Sequence, residues 1–166
     1  MIDIEGRMMR AMQGEVLDFT VETPEGMDHA NQMVNALLDE LPIALGVDPA
    51  RIVLGGFSQG GMLSLDVALR GDRPLAALLL MSPTYLCVHD WLPRMNARSG
   101  LPVLLSHGSR DPLLPFPTTQ RLRDDLRKAR VDVHWVEFPG GHEIRPEVLR
   151  GASEVLALGL GGAGVP

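Results

Sequence analysis

The sequence holds a single cysteine, Cys87, so no disulfide can form within it. A reducing, cytoplasmic setting is the expectation that follows. Cys87 sits in Y-L-C-V-H, with no flanking glycine and no activating neighbour, and reads as a buried, inert thiol. Basic excess is also missing. The net charge is −6 and the isoelectric point about 5.3, which excludes the clustered basic face that nucleic acid requires. The densest basic stretch, Arg121 to Arg130, is broken by Asp124 and Asp125 and reads as a solvated helix face. No apolar run approaches the roughly 18 residues of a spanning helix, so no integral membrane association is expected. The first residues, M-I-D-I-E-G-R-M-M-R-A-M, carry early acids and no long apolar stretch, unlike a secretory signal. No pair of His, Cys or carboxylate side chains has convincing metal-ligand spacing, and no metal site is expected.

What is present is an alternation. Residues 1–22 read weakly, with a short strand expected near Val16–Val21. Thr23-Pro24-Glu25 then offers a capping hydroxyl, a first-turn proline and an acid. Met27, Ala30, Val34, Leu37 and Leu41 follow at helical spacing, with Pro42 and Gly46 near the end. Arg51–Phe57 reads as a strand buried on both faces. From Gly60 the period turns helical, with Met62, Leu65 and Leu69 on one side and Gly71 as the stop. Leu75–Met81 and Leu101–Ser106 are the next apolar strands, separated by an excursion over 83–100 with a short helix near Asp90–Ala97. A helix over 116–130, a strand over Val131–Phe138 and a helix from Pro146 complete the order. The tail G-L-G-G-A-G-V-P is expected to be mobile. Strands alternating with helices imply an α/β fold, a mostly parallel sheet with helices on both faces, in a single domain.

Ligands bind where the strands of such a sheet end. After the first strand comes Ser58, inside G-F-S-Q-G. After the third comes S-H-G-S-R-D-P with Asp111. After the fourth comes P-G-G-H-E with His142. A serine hydroxyl is a weak nucleophile that needs a base, histidine is that base, and an acid fixes its tautomer. G-x-S-x-G is the sharp strand-to-helix turn that lifts a serine clear of its sheet, with small neighbours to avoid clashes. It also aims the Gln59 backbone N–H at a developing oxyanion. A phosphate loop is the rival for these glycines, but neither G-x-x-x-x-G-K-[ST] nor G-x-G-x-x-G fits here. Of the other histidines, His107 reads as a structural residue on the rim and His134 as outward-facing, while His29 and His89 have no partner legible in sequence. Asp124 and Asp125 are adjacent on a helix, point different ways and form no acid–base pair.

The segments G-G-F-S-Q-G-G-M-L-S-L, S-H-G-S-R-D-P-L-L-P and F-P-G-G-H-E together resemble the phospholipase/carboxylesterase family of α/β-hydrolases, which includes the acyl-protein thioesterases. The resemblance runs from about residue 25 to 158. It implies Ser58 as nucleophile, Asp111 as acid, His142 as base and Gln59 as one oxyanion donor. The implied reaction is hydrolysis of a small carboxylic ester or thioester through an acyl-serine, without a cofactor. Family members carry further strands upstream and an H-G-x-G loop with a second oxyanion amide. The only H-G here is His107-Gly108, in the acid loop. M-I-D-I-E resembles a segment the family places in mid-domain, so the chain reads as the C-terminal two-thirds of the fold. Loss of one oxyanion donor typically costs about 10²–10³ in kcat, roughly 3–4 kcal/mol. The strand carrying Ser58 becomes an apolar sheet edge, from which self-association is expected. The alternative function is a catalytically weak or inactive module that binds a partner through that edge. A dienelactone-hydrolase-like or peptidase-like enzyme is a third reading, the former disfavoured by serine rather than cysteine at position 58. Trp91, Leu92, Leu113 and Leu114 are candidates for an apolar wall around the acyl chain.

Overall fold

A computed structural model describes residues 20, 21 and 23–161. Helix α1 spans Met27–Leu45 and a single 3-10 turn, Pro49–Arg51, leads into strand β1, Val53–Phe57. Helix α2 (Gln59–Arg70), strand β2 (Ala77–Met81) and the short helix α3 (Val88–Trp91) follow, the last running into a 3-10 segment over Leu92–Arg98. Strand β3 (Pro102–Gly108), helix α4 (Phe116–Lys128), strand β4 (Asp132–Phe138) and helix α5 (Pro146–Gly159) close the order. The four strands form one parallel sheet in sequence order, with Gly55 opposite Leu79, Leu79 opposite Leu104 and Leu104 opposite His134. The expected α/β architecture is the observed one. Most of the expected strand near Val16–Val21, and all of the tail beyond Gly161, lie outside the described residues. Thr20 and Val21 form a turn.

Alternation along each strand divides the core between the two faces. Leu78, Leu80, Val103 and Leu105 meet Met62, Leu65, Leu122 and Leu126 from α2 and α4. Ala77, Leu104 and Phe138 meet Val148 and Val155 from α5. Gly151 lets α5 close onto the sheet, since a Cβ there would lie 2.9 Å from Val136 Cγ2. Because α5 runs over β2, β3 and β4, β1 is less covered. Its residues are half-buried and Gly55 is exposed, so the expectation of a strand buried on both faces fails. Among the described residues β1 pairs only with β2 and is the sheet border.

Four local features depart from the simplest pattern, each for a physical reason. Helix α1 begins after Gly26, not at Thr23. The Pro24 carbonyl accepts the Met27 N–H and Gly26 takes φ 81, which moves the first turn downstream. The buried stripe of α1 is Met27, Asn31 and Leu38, while Leu37 is 54% exposed. An apolar count misses this seam because a polar residue, Asn31, lies in it and bonds Asp66. Pro42 has no N–H for the Leu38 carbonyl, and Arg73 Nη1 takes that acceptor at 3.2 Å. Gly71 ends α2 in an extended conformation, φ −99, with Arg98 donating to the carbonyls of Ala68, Gly71 and Arg73.

An apolar strand at a sheet border is open to pairing with another chain. We expect the 166-residue chain to elute ahead of an 18.0 kDa monomer in gel filtration at tens of micromolar. A clean monomer at that concentration refutes self-association through β1.

Candidate active site

The turn after β1 holds Ser58 at φ 54, ψ −119, outside the conformations that a side chain ordinarily allows. Such a residue costs about 1–3 kcal/mol and persists only where its surroundings over-determine it. Here the Ser58 N–H donates to the Met81 carbonyl at 2.8 Å, and the Ser58 carbonyl accepts from Gly61 and Met62 at 3.0 and 3.1 Å. The turn is thus bonded to β2 on one side and to the start of α2 on the other. Gln59 opens α2, so its N–H belongs to the end of the helix whose amides have no intrahelical acceptor.

The glycines of the turn divide into two kinds. A Cβ on Gly56 would lie 2.4 Å from the Gly60 carbonyl carbon, so no side chain fits. A Cβ on Gly61 would lie 3.0 Å from the Gly56 oxygen. Gly60 itself faces open space, with nothing described within 4 Å of its Cβ position. The expectation that both glycines flanking Phe57-Ser58-Gln59 relieve clashes of their own side chains therefore holds for Gly56 and not for Gly60.

The loops after β3 and β4 are joined by backbone. Ser109 N–H donates to the Phe138 carbonyl at 2.9 Å and Arg110 N–H to the Gly140 carbonyl at 2.9 Å. Gly108 permits this approach, because a Cβ there would lie 2.2 Å from the Gly141 oxygen. The join brings Asp111 and His142 together: Nδ1 of His142 lies 2.7 Å from Asp111 Oδ2. The other carboxylate oxygen accepts the Leu113 and Leu114 N–H groups at 2.8 and 3.0 Å. Burial alone would raise the Asp111 pKa. The bonds from His142, Leu114 and Leu113 outweigh it and hold the carboxyl below its ordinary range. The His142 ring packs on Phe57, centroids 4.7 Å apart, and so stands beside the Ser58 turn.

Other expected positions resolve differently. Trp91 is fully buried, stacked near Tyr85 with centroids 6.2 Å apart, and its indole N–H donates to Asp66 at 2.8 Å. Leu114 is also core, while Leu113 is half-buried against it. An apolar cavity of about 420 Å³ instead opens next to the serine turn, lined by Met27, Ala30, Gln59, Gly60, Met62 and Leu63. None of Trp91, Leu113 and Leu114 lines it, and Trp91 and Leu114 are core residues. Sequence reasoning missed the cavity because it lies between α1 and α2, where helical periodicity shows only packing. His107 lies at the end of β3, as expected of a structural residue on the rim, and is fully buried beside Asp111. His134 is half-buried, 3.4 Å from Glu154. Cys87 is buried, which raises its thiol pKa, with Sγ 3.7 Å from the Thr23 hydroxyl. Among the described residues no three His, Cys, Asp or Glu side chains gather as a metal site, and no helix is long and apolar enough to cross a membrane.

A profile of the phospholipase/carboxylesterase family matches residues 3–159. The chain belongs to this family. An acyl-protein thioesterase 1 from Gibberella zeae is 35% identical over 135 residues, covering 77% of this chain and 56% of that protein. Among solved structures, Arabidopsis thaliana SOBER1 superposes with TM-score 0.71 at 26% identity, over 89% of this chain and 69% of that one. Esterase PE8 has TM-score 0.71 at 30% identity, over 79% of this chain and 60% of its own. The chain spans about half the length of the curated relatives it matches.

The two kinds of glycine separate under substitution. Gly56→Ala should abolish assembly of the Ser58 turn, read as loss of cooperative unfolding or of active-site labelling. Gly60→Ala should leave the fold intact and raise its stability by about 0.5–1 kcal/mol through helix propensity. Equal damage from both changes, in thermal melts, contradicts the geometry.

Proposed function

We propose that the chain is one α/β-hydrolase domain acting as a serine hydrolase on carboxylic esters or thioesters, without a cofactor, in the cytoplasm. The observation that carries this reading is the 2.7 Å contact between His142 and a buried, backbone-anchored Asp111, placed beside a strained serine turn. Family membership and the acyl-protein thioesterase relative support it.

The chemistry follows from the groups present. Asp111 accepts the Nδ1–H of His142, which leaves Nε2 as the base. Nε2 takes the Ser58 hydroxyl proton as Oγ attacks the acyl carbon. The Gln59 N–H, at the positive end of α2, stabilises the oxyanion that forms. The tetrahedral species collapses with cleavage of the C–O or C–S bond, and His142 returns the proton to the leaving alcohol or thiol. Water, activated in the same way, then releases the acid and frees Ser58.

The cavity between α1 and α2 points to an apolar acyl group. Its 420 Å³ is at the small end of ligand sites, and Met27, Ala30, Met62 and Leu63 make its walls apolar. Ala30→Phe, which fills it, should leave p-nitrophenyl acetate hydrolysis little changed and reduce octanoate hydrolysis by about fourfold per excluded methylene. An unaltered acetate-to-octanoate ratio places the acyl chain elsewhere.

The reaction class has its own test. A fluorophosphonate probe should label the folded wild type and not Ser58→Ala. Folded wild-type protein that resists the probe overturns the serine hydrolase reading for this chain.

A further inference from the structure

His107 is the one fully buried histidine, and the proposed mechanism leaves it idle. It lies on β3 between Ser106 and Gly108, one residue after the core leucines Leu104 and Leu105 have given way to polar side chains. An imidazole buried there loses hydration that a leucine would not. Its nitrogens are placed with regard to the acid loop. Nε2 lies 3.1 Å from the Leu114 carbonyl and 3.4 Å from Asp111 Oδ2, the same oxygen that accepts from His142. A carbonyl can only accept, so Nε2 carries hydrogen. Nδ1 lies 3.2 Å from the Thr119 hydroxyl, which also lies 2.9 Å from the Pro83 carbonyl. The Phe116 ring closes the remaining side at 6.0 Å.

We infer that His107 is a positioning residue for the acid–base pair, holding Asp111 and the turn over 111–114 in the orientation that His142 requires. The inference rests on the serine hydrolase reading for its catalytic consequence and on geometry for the clamp itself. Leu114 is gripped twice: its N–H donates to Asp111 Oδ1 and its carbonyl accepts from His107. The turn cannot swing away without breaking both bonds. The charged or titrating groups facing His107 are Asp111 and His142. Burial lowers the His107 pKa, against the Leu114 and Pro83 carbonyls and the Asp111 carboxylate, which favours the neutral ring. A neutral donor orients the carboxylate without neutralising it. The full negative charge of Asp111 therefore remains for the imidazolium that His142 becomes.

Two variants and one wild-type measurement test this. His107→Phe keeps a ring and removes the N–H. Its kcat on p-nitrophenyl acetate should fall about ten- to a hundredfold with KM within about twofold. His107→Gln, which restores an N–H donor, should recover most of the loss. In proton spectra the low-field His142 Nδ1–H signal should shift upfield in His107→Phe and return in His107→Gln. In the wild type, ¹⁵N imidazole spectra should show His107 protonated at Nε2. A bare Nε2 overturns the clamp whatever the variants do. So does a folded His107→Phe that retains kcat and the low-field signal. Should the wild type prove inactive while these imidazole signals hold, the hydrolase reading fails and the clamp stands on its spectra.

Discussion

Everything at the site depends on the close approach of two backbones, where β3 and β4 end. Gly108 has no side chain because the Gly140–Gly141 carbonyls occupy the space. That contact lets the acid loop bond the base loop at Ser109 and Arg110 before any side chain is considered. Asp111 and His142 are therefore brought together by main chain, and their own bond adds to an arrangement already made. The geometry is pre-organised in the sense that catalysis requires, because little remains to be ordered when charge develops.

The strained Ser58 and the buried Asp111 are two costs set against this scaffold. Ser58 is held by three main-chain bonds, to Met81, Gly61 and Met62. Asp111 is held by two amides and His142, with His107 Nε2 3.4 Å away. Each unfavourable group is over-determined by its surroundings, and each is built from residues close in sequence to a strand end. A second buried carboxylate, Asp66, does comparable work for packing. It accepts from Asn31 on α1 and Trp91 beyond β2, and Arg70 Nη1 lies 3.4 Å away. It docks both elements onto the helix that begins at Gln59.

Much of this was legible in sequence because its signals are local. Continuous apolar runs mark strands inside a covered sheet, and the three loop segments put Ser58, Asp111 and His142 on one rim. What was not legible depends on partners distant in the chain. Trp91 reads as a candidate acyl wall until Asp66, 25 positions away, supplies its acceptor. Asn31 interrupts an apolar stripe until the same carboxylate explains it. Gly60 reads as a steric necessity, yet of the two flanking glycines it is Gly56 that has a backbone in its way, and that backbone is Gly60's own. The start of α1 was misplaced because Thr23-Pro24-Glu25 is a sound cap by type, while Gly26 supplies the turn that is used. The half-burial of β1 reflects the path of α5, which no feature of residues 51–57 encodes.

The place of β1 at the sheet border has a consequence for how the protein would fail. Local opening is easiest where a strand is bonded on one side and thinly covered, and hardest in the middle of the sheet. Among the described strands that ranks β1 below β2 and β3. A residue under backbone strain is thus attached to a border strand of the sheet. Chemical competence and structural integrity then come apart under stress. Opening of that border alone would release the Ser58 turn while β2 and β3 stay paired, so the nucleophile would be lost with most of the sheet still standing.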